Sequence, residues 1–182
     1  MKKALVILAD GFEEIEAFTV IDILRRADIS VAAAGLSKKE IKAAHNVTVI
    51  ADKILTETDI NYDALILPGG MPGSSNLAEA DIVKKIILSM HKNNKIIAAI
   101  CAAPALVLAP LSLLNNKKAT CYKNMETHFE KSTSFSSQNV VVDSNIITSR
   151  GPATAAEFAF TITELLTGKE KRSQIETGML FK

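Results

Sequence analysis

Cys101 lies in the run IIAAICAAPALVLAP (96–110), where its sulfur is the one strongly nucleophilic atom in apolar surroundings. KIIAAI (95–100) before it reads as a buried strand, and APALVLAP (103–110) after it suits a short helix. A strand–cysteine–helix turn projects the thiol from the end of a sheet, as a nucleophile elbow does. N–H groups at the helix start then favour a thiolate and lower the thiol pKa. A free cysteine also packs as a small hydrophobe. Position alone therefore leaves Cys101 as either core filler or nucleophile, with Ala102 and Ala103 suited to a tight turn.

Other groups able to serve such a thiol are few. DGFEEIE (10–16) follows the first apolar run. Glu13 and Glu14 complement a helix N-terminus, which requires no function. Glu16 stands one turn into that helix, and a carboxyl facing a thiolate must share a proton with it to avoid repulsion. PGG (68–70) supplies, at Gly69 and Gly70, backbone that can approach a ligand and offer N–H groups to developing negative charge. His128 and Glu130 have the His-x-Glu spacing of some cysteine-dependent amidotransferases, although a solvated loop or helix end is the favoured reading. Cys121, in ATCY (119–122), reads as a structural mid-strand residue. No Cys/His/carboxylate group has metal-ligand spacing, so no metal is expected.

The elements that must position these residues alternate along the chain. ALVILA (4–9), ISVAAAGL (29–36), VTVIAD (47–52), ALILPGG (64–70) and KIIAAI read as strands. Strands are also expected at ATCY, NVVVD (139–143) and NIITS (145–149), the last two paired around Asp143-Ser144. Helices are expected over 13–27, 81–93, 154–168 and about 169–179, the first with Ile15, Phe18, Ile21, Ile23 and Leu24 near one stripe. Such alternation predicts an α/β fold with a mainly parallel sheet and helices on both faces. Ligands then bind at the carboxyl ends of the strands. The segments 10–16, 68–70 and 101–104 all fall there.

The 182 residues, with 48% hydrophobic content and no linker or repeat, predict one domain over 1–182. A net charge of +1 offers no attraction for nucleic acid or an anionic membrane. Two cysteines are too few for a disulfide framework, which predicts a reducing, cytoplasmic setting. The N-terminus MKKALVILADGFEEIEAF mimics a signal peptide, but its apolar run is short and acidic residues follow at once. No run approaches the ~18 apolar residues of a membrane span.

Together, ALVILADGFEEIE, VIDILRRADISVAAAGL, ALILPGG, IIAAICAAPALVL and IITSRGPATAAEFAFTITELLTGKE resemble the ThiJ/PfpI superfamily, over nearly the whole chain and in order. Within it they resemble the subgroup of the Parkinsonism-associated DJ-1 deglycase and its bacterial relatives. That resemblance implies a flavodoxin-like three-layer sandwich, a homodimer and no cofactor. It implies that Cys101 is the reactive, oxidation-prone cysteine and that Glu16 is the acid hydrogen-bonded to it. Gly70 and Ala102 match oxyanion-pocket N–H positions, and Ser149, Arg150, Gly151 and Pro152 match the segment closing over the cysteine. Asp22 and Arg26 match positions near the dimer contact.

Some positions depart from the pattern. A histidine of many cysteine–histidine members aligns with Ser132, and an arginine at the anion-binding pocket edge aligns with His45. Ala102 stands where the protease branch has histidine, which argues against a peptidase. The ThiJ label suggests thiazole-phosphate synthesis, yet no G-x-x-x-x-G-K loop is present.

Two activities follow as expectations. One is a glyoxalase or deglycase acting on small dicarbonyls such as methylglyoxal, or on glycated side chains or nucleotides, through Cys101. The other is a redox sensor or redox-regulated chaperone in which Cys101 becomes a sulfinate held by Glu16.

Overall fold

The computed structural model describes residues 1–181. The first half of the chain runs β1 (Lys3–Leu8), α1 (Glu14–Arg26), β2 (Ser30–Gly35), β3 (Glu40–Lys42), β4 (Thr48–Ile50), β5 (Lys53–Ile54), β6 (Ala64–Leu67), α2 (Gly73–Glu79) and α3 (Asp81–Lys92). The second half runs β7 (Ile96–Ile100), β8 (Lys118–Ala119), β9 (Ser134–Phe135), β10 (Val140–Asp143), β11 (Ile146–Ser149), α4 (Ala155–Thr167) and α5 (Lys169–Gly178). Seven strands form one sheet in the order β10-β11-β7-β6-β1-β2-β5. Neighbours pair parallel except β10 and β11, a hairpin that turns at Ser144-Asn145, one residue later than expected, because Asp143 still pairs with Ile146.

Continuous apolar strands arise because both sheet faces are covered. Along β1, Ala4, Val6 and Leu8 pack with Val20 and Leu24 of α1 and Phe158 and Ile162 of α4. Leu5 and Ile7 point the other way, into a core with Val83, Ile86 and Met90 of α3. Fully burying each such side chain contributes roughly 1.5–3 kcal/mol. Most of the ion pairs are solvent-exposed, where each contributes roughly 0–1 kcal/mol. Apolar burial on two faces thus dominates, and the result is a flavodoxin-like three-layer sandwich.

Several local expectations need correction. In α1, Ile15 and Phe18 are 53% and 39% exposed, while Glu16, Ala17, Val20, Ile21, Ile23 and Leu24 are buried. Val20, Ile23 and Leu24 pack in the core, which fixes this rotation, while the Glu13 carboxyl caps the helix start by accepting the Glu16 N–H at 2.8 Å. The segment 47–52 does not enter the sheet as one strand. β4 pairs with β3 in a separate hairpin that buries Ile41, and β5 alone reaches the sheet edge. α2 is absent from the sequence reading because its Gly-Ser-Ser-Asn start has little helical preference. Tertiary bonds hold that start, from Gly73 N–H to Gly11 C=O and from Asn76 Nδ2 to Asp10 C=O.

The segment after Cys101 is helical but irregular. Over Pro104–Leu108 it widens, with Ala109 N–H reaching Pro104 C=O, and it tightens over Ala109–Leu111. Pro110 has no N–H, so the regular ladder cannot continue through it. ATCY is a strand only to Ala119, so Cys121 is not mid-strand. There the backbone leaves its ladder: Thr120 N–H turns to the Thr148 hydroxyl and Tyr122 N–H to Cys101 C=O.

Candidate active site

Three loops meet at the carboxyl ends of the central strands, after β1, β6 and β7. Cys101 follows β7 with φ of +65°, in the left-handed region that L-residues rarely occupy. Its backbone is held from both sides, its N–H donating to Ser149 C=O at 2.9 Å and its C=O accepting from Tyr122 N–H at 2.8 Å. These bonds offset the local strain, roughly 1–2 kcal/mol, and aim the thiol at the sheet end. The side chain is 8% exposed and opens into a cavity of about 580 Å³.

Glu16 rises from α1 beneath the same point and is buried. Its Oε2 accepts the Gly69 N–H at 2.7 Å. Its Oε1 is buried without a hydrogen-bond partner, and the carboxyl and the Cys101 side chain both close on Gly69. Gly69 has to be glycine here: a Cβ would stand 2.5 Å from Cys101 Cβ and 2.6 Å from Glu16 Oε2. Gly69→Ala is expected to lower stability by about 1–3 kcal/mol and to push the carboxyl off the thiol. Thermal melting and thiol alkylation rates check both effects.

Burial drives both groups toward their neutral forms. It pushes the Glu16 carboxyl up to about 7, against the lowering pull of the thiol and the Gly69 N–H. The Cys101 thiol is also raised, first by burial and then by the Glu16 charge, while the N–H groups of Gly70 and Ala102 pull it down. The expected lowering by a helix start is therefore outweighed. Two negative charges cannot sit together in this dry pocket, so the pair keeps at least one proton: two below about 7, and the thiol's alone above it. The resting site is a thiol beside a carboxyl poised near neutral pH.

The remaining candidate residues divide between this cavity and other places. Gly70, Ala102, Pro152 and His45 line the cavity together with Glu13. His45 is tied to Glu14, whose carboxylate accepts both its backbone N–H and its Nδ1 at 2.8 Å and raises its pKa. Glu13, Glu14 and His45 bring donor atoms within 4.8 Å of one another, but they are engaged in this pairing and in the α1 cap. Ser149 is buried, and its hydroxyl bonds Asn139 C=O and Thr154 Oγ1. Arg150 lines an adjoining cavity, not this one. His128 sits on an exposed turn and does not line the cavity.

Tyr122, Lys123, Asn124 and Met125 form a wall that sequence reading missed. Their signal was hidden because 119–122 reads as a strand, whereas the chain crosses over the elbow there.

A parallel α/β sandwich with a cysteine elbow over a buried carboxyl places the chain among flavodoxin-like proteins. Residues 2–165 match the DJ-1/PfpI family, and the chain belongs to that family. It is 42% identical to protein dj-1beta of Drosophila melanogaster, covering 98% of this chain and 97% of that one. It is 34% identical to glutathione-independent glyoxalase DJR-1.2 of Caenorhabditis elegans, over 96% and 94% of the two chains. The solved structure of an oxidised Toxoplasma gondii DJ-1 superposes with a TM-score of 0.95 at 36% identity, covering 99% of this chain and 98% of that one.

Proposed function

We propose that this protein is a cofactor-free glyoxalase or deglycase of carbonyl-stress defence, acting on α-oxoaldehydes through Cys101. The observation that carries this reading is the buried Glu16 carboxyl beside the Cys101 thiol, under the N–H groups of Gly70 and Ala102. Family membership and the glyoxalase name of the Caenorhabditis elegans relative support a stress-defence role of this kind.

The thiol sulfur attacks the aldehyde carbon of methylglyoxal while its proton passes to Glu16, which returns it to the new alkoxide to give a neutral hemithioacetal and a free carboxylate. The two N–H groups stabilise the oxyanion as it forms. Glu16 Oε1, the oxygen left free of other donors, then carries the proton from C1 to C2 through an enediol. The aldehyde carbon ends oxidised to a thioester and the ketone carbon reduced to an alcohol. Water hydrolyses the thioester to lactate and returns the thiol. A methylglyoxal adduct on a cysteine, lysine or arginine side chain presents the same carbon once it dissociates or is attacked in place.

Purified protein incubated with methylglyoxal is expected to form lactate without added cofactor. Because Glu16 must lose its proton to serve as base, kcat/KM is expected to rise as pH passes through about 7. Absence of lactate above background would sink the enzyme reading.

A second reading has its own support. A protonated Glu16 and the N–H groups of Gly70 and Ala102 are three donors converging on Cys101, suited to hold a sulfinate. Two equivalents of peroxide then oxidise the thiol, releasing two waters. Intact mass after mild peroxide tests it, and no stable gain of two oxygens at Cys101 rules it out.

A further inference from the structure

The cavity around Cys101 adjoins a second one. Tyr122, Lys123 and Pro152 line both, so the two share a wall. The second holds about 310 Å³ and adds Asn139, Arg150 and Thr154. Cavities of roughly 300–1,000 Å³ take molecules far larger than a three-carbon dicarbonyl.

Charge is distributed unevenly across these two adjoining cavities. Glu13, beside the Glu14–His45 pair, stands at the α1 side, with Glu16 beneath the thiol. Lys123 belongs to the wall that the two cavities share, and Arg150 lines the second one. Among the described residues neither makes an ion pair or a side-chain hydrogen bond, although many other basic side chains here do. The nearby Glu157 carboxylate is engaged by Asn139 Nδ2 at 3.0 Å and lines neither cavity. An acid group is thus repelled from the α1 side and drawn to Lys123 and Arg150, which sets the direction in which a substrate lies. Arg150 adds a planar fork matched to a carboxylate or phosphate.

We propose that Lys123 and Arg150 form an acid-group subsite, and that the preferred substrates are α-oxoaldehydes bearing an acid group a few bonds from the aldehyde. The inference rests on Cys101 attacking an aldehyde carbon. With 4,5-dioxopentanoate the balance is unchanged: one water is taken up, the aldehyde carbon becomes a carboxylate and the ketone carbon an alcohol, giving 2-hydroxyglutarate.

The test compares 4,5-dioxopentanoate with the neutral 2-oxohexanal at low salt. The acid is expected to show at least a tenfold higher kcat/KM, through KM. Lys123→Met and Arg150→Met are each expected to cut that preference about five- to tenfold, with partial recovery in Arg150→Lys. An unchanged preference in both variants overturns the subsite. A second measurement needs no turnover: 4-oxopentanoate should protect Cys101 from iodoacetamide, followed by intact mass, better than neutral 2-hexanone does. Inorganic phosphate should protect likewise if the subsite takes phosphate, and its failure beside a working carboxylate restricts the subsite to carboxylates. Protection that depends on Lys123 and Arg150 without any hydroxy acid product upholds the subsite and overturns the enzyme reading. Protection independent of both residues overturns the subsite even if lactate forms.

Discussion

Cys101→Ser is expected to reduce lactate formation from methylglyoxal at least ~10³-fold, to the background of the buffer. A serine hydroxyl is a far weaker acid than a thiol, so Glu16 cannot draw its proton, and oxygen is the poorer nucleophile. The backbone is expected to tolerate the change. Its positive φ is imposed by the Ser149 and Tyr122 hydrogen bonds, which a serine keeps. A melting temperature close to wild type would show that loss of rate reflects chemistry and not unfolding. The same variant separates the two readings of the site. Peroxide should add two oxygens to wild type if Cys101 is the sensor, and none at position 101 in the variant.

Glu16→Gln is expected to move activity and stability in opposite directions. Lactate formation should fall about 10²–10⁴-fold, the usual contribution of a general acid–base. Stability should rise at alkaline pH. The carboxyl binds its proton more tightly in the folded protein, near 7, than at its ordinary value of 4.5. Its contribution to stability is therefore fully present below about 4.5 and is lost as pH rises through about 7. At about 1.36 kcal/mol per pH unit, that window amounts to roughly 3 kcal/mol lost by pH 8. Glutamine stays neutral throughout and its carbonyl can still accept the Gly69 N–H. The variant should thus match wild type near pH 4.5 and melt roughly 5–10 °C higher at pH 8. Equal melting at pH 8 would show that the carboxyl is not held near neutral pH by burial. The stored destabilisation is what a base poised at physiological pH costs this fold.

Much of the architecture is legible because short-range chemistry encodes it. ALVIL, ALIL and IIAAI are apolar on both alternating faces, so they read as strands covered on two sides. The Gly168 stop, with φ of +95°, separates α4 from α5 where a residue without Cβ is expected to. Patterns that depend on rotation or partner choice are less legible. Ile15 and Phe18 look like core residues, yet packing of Val20, Ile23 and Leu24 in the core leaves them outward and brings Glu16 in. Exposed apolar side chains on that face of α1 are of the kind that mark a protein contact. Thr48–Ile50 has strand composition, but composition cannot say that it pairs with Glu40–Lys42 instead of joining the main sheet.

For the site, the sequence by itself determined which atoms were available and that they would meet at one sheet end. A cysteine after a buried strand, a Pro-Gly-Gly after another and an acidic turn after a third can converge only there in a parallel sheet. Tertiary structure decided three further things. It buried Glu16, the glutamate the sequence had singled out, against the Gly69 N–H through the phase of α1 on the sheet. It carried Tyr122 and Lys123 over the elbow, through a backbone bond to Cys101 that no local pattern announces. It also reversed the expected direction of the thiol pKa. Burial and a neighbouring carboxylate are properties of the packed molecule, and in a dry pocket they outweigh the few N–H groups of one short helix start.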